Sequence, residues 1–174
     1  MSLNKGCFSL FLYNGVNEII PLTNDAYYLD DGTEYKIAII NHSTKRANST
    51  VFVDGTKIGY FRIPDSGRIV IERTSKTDRK LTFHDVTSNE GILGGLSTKN
   101  TQLGNIRLEC EIEKKYNFGG LEMDCGVETD GGTVLGRKST QRFSSAQWMS
   151  TEDEKFIIEG KMLLKQERLI VPLM

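Results

Sequence analysis

The phrase GGTVLGRKST, at 131–140, comes nearest to a recognisable chemical motif in this chain. A phosphate-binding loop needs two glycines separated by four residues, followed at once by Lys and then Ser or Thr. Backbone N–H groups and the lysine then converge on a phosphate at the first turn of a helix. Gly131 and Gly136 have that separation, but Arg137 intervenes before Lys138 and Ser139. The QRFSS that follows has no apolar helical pattern. The segment is therefore expected to be a turn-rich loop without nucleotide affinity.

The two histidines offer no better set. His42 falls in a polar turn, and His84 ends a strand beside Asp85. Neighbours on a strand face opposite sides, so His84 and Asp85 do not make a hydrogen-bonded dyad. Cys7, Cys110 and Cys125 are too few and too scattered for a disulfide framework or for metal-ligand spacing, which suits a reducing compartment. Neither Cys110 nor Cys125 lies in a motif that marks a nucleophile. Glu109, Glu111 and Glu113 share one face of a strand, where they read as a solvated surface because acid–base or metal work needs partners from other elements. The chain is accordingly expected to be non-enzymatic, with no catalytic residues, no metal and no cofactor; an enzyme with its site in the 117–148 loop is the alternative after a ligand-binding module. Tyr116, Phe143 and Trp148 are the loop aromatics that would stack on a ligand if the module binds carbohydrate.

Composition narrows the partners. Lys and Arg number 22 against 23 Asp and Glu, a net charge of −1, so no global field draws the chain to nucleic acid or to an anionic membrane. No apolar run approaches a membrane span, and MSLNKGCFSL lacks the long apolar stretch of a signal peptide. A cytoplasmic location is expected on that basis. Asn41-His42-Ser43 and Asn48-Ser49-Thr50 match the glycosylation pattern but are read as chance matches.

What must position any site is a succession of short strands. They are expected at 7–13, 17–20, 26–29, 34–40, 49–53, 58–63, 68–73, 79–85, 106–115, 155–159 and 161–171. Turn signals punctuate them at Asn14-Gly15, Asp31-Gly32, Asp54-Gly55, Asp65-Ser66-Gly67 and Glu159-Gly160. In 106–113, Ile106, Leu108, Cys110 and Ile112 alternate with charged residues, which buries one face and wets the other. VFVDGTKIGYFRIP, at 51–64, reads as a hairpin turning at Asp54-Gly55, with a bulge near Gly59 that keeps Ile58, Phe61 and Ile63 on the core side. The whole, 1–174, is expected to be a single all-β domain. An antiparallel β-sandwich with a jelly-roll arrangement is the leading form and a barrel the alternative. Two strand-poor stretches, 86–105 and the Gly-rich 117–148, are where recognition is expected.

EYKIAIINHSTKRANSTVFVDGTKIGYFRIPDSGRIVIERTSKTDRKLTF resembles a β-rich domain found in large DNA viruses of algae and protists and in proteins of unicellular eukaryotes. GNIRLECE falls where that family places a strand after a variable loop. Ser139, Gln141 and Phe143 in GGTVLGRKSTQRF are similar to its Ser-x-Gln-x-Phe element. The resemblance spans about 34–172. It implies a structural or attachment module that works through a protein partner or self-association, such as a virion-associated or assembly component.

The register makes a direct prediction. Val53→Asp places an unpaired charge in the core and is expected to lower the melting temperature sharply, measured by circular dichroism.

Overall fold

The computed structural model describes residues 2–114 and 131–165. Two six-stranded sheets form a β-sandwich. The first runs β1 (Leu3–Lys5), β2 (Phe8–Asn14), β5 (Thr33–Asn41), β9 (Arg79–Asp85) and β11 (Gly131–Lys138). β8 (Gly67–Ile71) joins it by pairing with β5. The far edge of β5 is divided: Thr33 and Glu34 pair with β9, while Ile37–Asn41 pair with β8. The second sheet runs β3 (Leu22–Thr23), β4 (Ala26–Leu29), β12 (Phe156–Leu164), β10 (Asn105–Ile112), β6 (Ala47–Val53) and β7 (Thr56–Ile63). Both sheets end in edge strands, so the barrel alternative falls. The helix α1 (Asn89–Leu93) is capped by the Ser88 hydroxyl, which accepts the Gly91 N–H.

Alternation builds the core. Ile106, Leu108, Cys110 and Ile112 are buried, and with Val51, Val53 and Ile58 they meet Phe8, Leu10, Ile37, Ile39 and Phe83 of the other sheet in one cluster. Phe8 and Phe156 touch across the sandwich with ring centroids 5.5 Å apart. The Asp54-Gly55 turn has φ of 53° and 80°, the pair of positive angles that a two-residue hairpin turn requires. Its register begins as expected, Val53 opposite Thr56 and Phe52 opposite Lys57, and then shifts so that Val51 faces Gly59. The bulge thus takes up Ile58 and keeps both Ile58 and Ile63 buried, with Phe61 partly buried against the core. Gly59 is needed there because a Cβ would stand 2.3 Å from the Phe61 ring.

Four expectations are corrected. Residues 17–20 form no strand; Ile19 makes only an isolated bridge to Tyr13. Glu159-Gly160 is not a turn. β12 runs through it without a break, and Gly160 is there because Leu3 lies 2.8 Å from where a Cβ would project. The Gly-rich stretch is not all loop, since 131–138 is the edge strand β11. Finally, the sandwich is not purely antiparallel: β12 runs parallel to β4, with Met162 opposite Tyr27. β1, unforeseen, pairs Leu3–Lys5 with Phe8–Leu10.

Gly59→Ala is expected to cost about 1–3 kcal/mol by overpacking, since the displaced ring is itself part of the core margin. A urea unfolding midpoint equal to that of the parent chain would contradict this account of the bulge.

Candidate functional site

Among the described residues β7 ends its sheet and pairs only with β6, while β8 pairs only with β5, so each has an edge without a strand partner. Between these edges lies a groove of about 650 Å³, lined by Tyr60, Phe61 and Arg62 on one side and Ile69, Val70 and Ile71 on the other. The extended segment 139–150, which carries the chain from β11 towards β12, crosses it as a strap. Ser139 donates to the Glu72 carboxylate. The Gln141 side-chain amide accepts the Glu72 N–H at 3.0 Å and donates to the Val70 carbonyl at 2.6 Å, so it satisfies the edge of β8 as a peptide group of a neighbouring strand would. Phe143 packs edge-on to Phe61 at 5.4 Å, and the Arg73 guanidinium lies 4.1 Å from its ring centroid. Further along, the Gln147 carbonyl accepts from Arg62, whose Nε also donates to Asn48.

Among the described residues the lining contains no His, Cys, Asp or Glu. Its chemistry is that of contact: aromatic faces, guanidinium groups, serine hydroxyls and backbone edges. Tyr60 is 54% exposed and Phe143 38%. Of the three aromatics nominated from sequence, Phe143 is in the groove, with one face already taken by Arg73. Trp148 is on the strap but outside the groove lining, 87% exposed. Tyr116 lies outside the described residues, as does Cys125. Tyr60, Arg62 and Arg73 were missed; the period-two spacing of Ser139, Gln141 and Phe143 was the available signal, because an extended chain turns alternate residues to one side.

The other candidates resolve into structure. In β11, Cβ atoms on Gly131, Gly132 and Gly136 would stand 2.3 Å from Phe83, 2.4 Å from Leu103 and 2.2 Å from Thr82. These glycines serve close packing in a strand, and no helix N-terminus follows them for a phosphate to meet. Lys138 points outward, 3.5 Å from Asp78. Ser9 Oγ lies 3.0 Å from His42 Nε2 and donates to Asn4 Oδ1 at 2.6 Å. With its proton given to Asn4, Ser9 accepts from a protonated Nε2, the reverse of what a general base requires. His84 does not pair with Asp85; its Nδ1 is 3.0 Å from the Asp31 carboxylate. Burial raises the thiol of Cys110 well above its ordinary value. No group of three potential metal ligands occurs among the described residues. Asn41 and Asn48 are buried, so neither sequon is presented for glycosylation. Glu109, Glu111 and Glu113 do face outward, yet they are half-buried, in ion pairs with Arg107, Lys155 and Arg46 on an interior strand. The ammonium of Lys5 is buried with no hydrogen-bond partner among the described residues, and it does not line the groove.

Asp54 has a role beyond its turn. Its two carboxylate oxygens accept the Gly104 N–H at 2.7 Å and the Thr133 N–H at 2.6 Å, while its backbone carbonyl accepts from Asn100. Burial pushes the carboxyl up to about 6, against the lowering effect of the two N–H donors. Tyr35, fully buried nearby, shares a hydrogen bond with the Thr133 hydroxyl.

Compared with known proteins, the chain matches no family model, no curated protein sequence and no solved structure.

The Asp54 carboxyl fixes a pH dependence. With its folded pKa raised, the native chain holds a proton that the unfolded chain has lost between 3.8 and about 6, so stability falls as pH rises through that window. Glu34, held low by the Arg137 hydrogen bond, acts oppositely, and its contribution disappears only as pH falls below the ordinary glutamate value. Urea midpoints are therefore expected to decline between about pH 4 and pH 6 and to level off above that window. In Asp54→Asn the decline disappears, and stability drops by about 1–3 kcal/mol because an amide NH₂ now faces a backbone donor. An unchanged pH slope in that variant would show that Asp54 is not the group responsible.

Proposed function

We propose that this chain is a non-enzymatic structural or protein-interaction module, an assembly or virion-associated component, that makes its contact through the groove between β7 and β8. The observation that carries this reading is the open edge of β7 beside exposed Tyr60 and Phe143. Natural sandwiches cover or blunt a strand edge unless something pairs with it. Here a strap tends the edge of β8 and leaves that of β7 to the groove. The resemblance to β-rich domains of large DNA viruses points in the same direction. Carbohydrate binding is the second reading, favoured by the open indole of Trp148 on the same strap.

Tyr60→Ala and Trp148→Ala separate the two. Tyr60→Ala is expected to abolish complex formation or self-association, measured by sedimentation velocity, with melting temperature unchanged. Trp148→Ala should leave it intact. Glycan-array binding that Trp148→Ala removes and Tyr60→Ala spares would replace the first reading by the second.

A further inference from the structure

We infer that the groove takes an acidic, extended polypeptide segment, added as a new strand along the outer edge of β7. The inference rests on the groove being the contact site and says what the partner is made of.

Geometry supplies the extended main chain. At the bulge the Ile58 carbonyl turns away from β6 and accepts the N–H of Ser75, which covers the first end of the β7 edge. Backbone groups along a strand alternate in direction, so those of Tyr60 and Arg62 face the same way as the Ile58 carbonyl, into the groove. Pro64 closes the far end. Between bulge and proline, Tyr60–Ile63 is a short stretch of edge without a strand partner among the described residues, the form that strand addition uses. On the opposite wall, Gln141 already occupies the edge of β8, so an incoming segment has one edge to pair with.

Charge supplies the side chains. β7 reads TKIGYFRI, with Lys57 and Arg62 and no acid. Lys57 sits 5.6 Å over the Tyr60 ring, and Arg142 joins Arg62 in the lining. None of Lys57, Arg62, Arg73 or Arg142 has a carboxylate at ion-pair distance among the described residues. Elsewhere Lys36, Arg46, Arg107 and Arg137 are each paired with an acid. Lys57, Arg62, Arg73 and Arg142 thus make a group of cations at or beside the groove that the acids among the described residues leave unpaired, and the groove lining itself carries no acid. A segment whose alternate residues are acidic presents them on one side at the strand repeat, where they meet these cations while its backbone bonds to β7.

The test uses the full chain, labelled for amide NMR, with a short peptide alternating threonine and glutamate. Its threonine–lysine counterpart, a version N-methylated at alternate amides and a single-stranded oligonucleotide serve as comparisons. The acidic peptide is expected to shift the amides of Tyr60–Ile63, to bind more weakly as salt rises and to lose affinity on N-methylation. Arg142→Glu, at an exposed residue on the strap, should weaken it about tenfold at unchanged melting temperature. Equal binding of the threonine–lysine peptide at those amides would overturn the acidic partner while leaving the groove as contact site. Undiminished binding of the N-methylated peptide, or tighter binding of the oligonucleotide there, would overturn strand addition. If no probe shifts these amides, the inference is wrong. The reading of the groove then stands or falls separately on whether Tyr60→Ala still disrupts the assembly.

Discussion

The carboxylate of Asp54 is the constraint from which much of the arrangement follows. It belongs to the hairpin turn of the second sheet, yet it binds the N–H of Thr133 in the edge strand of the first and that of Gly104 at the entry to β10. One side chain therefore joins the two sheets and sets where three segments meet. Taking a carboxylate out of water is unfavourable, and the upward shift of its pKa records that cost. Two backbone donors that would otherwise be unsatisfied beside it offset the penalty. The same residue also adopts the positive φ that the turn demands.

The strap is the second tie between the sheets, and it works by a different principle. Its residues form no ladder, but Ser139, Gln141 and Phe143 point alternately inward and engage a carboxylate, a strand edge and an aromatic ring in turn. Arg73 fixes the other side of the arrangement. Its guanidinium donates to the Gln141 carbonyl and to the carbonyls of Thr74 and Thr77 while covering Phe143. A phrase that looks like a composition bias in sequence is thus a set of anchors at the period of an extended chain. This anchoring covers β8 and leaves the β7 edge without a strand partner among the described residues, at a position that a sandwich ordinarily protects.

Local pattern determined a large part of this protein. Alternation in 106–112 and the Asp54-Gly55 turn are short-range facts, because strand period and positive-φ turn chemistry act over a few residues. They sufficed for the all-β class, for the core face of β10, and for the hairpin with its bulge to within a residue. Gly160 and Gly131 show where such reasoning stops. Each is a glycine in a strand because Leu3 or Phe83, far away in sequence, comes too close for a Cβ, whereas the local signal for both was a turn. The parallel pairing of β12 with β4, the partners of His42 and His84, and the burial of Asp54 were likewise decided only in three dimensions. So was the groove, since Tyr60, Arg73 and Phe143 are brought together by sheet order and by the path of the strap. Periodicity tells which way a side chain faces along its own strand; it carries no information about which distant segment it will face.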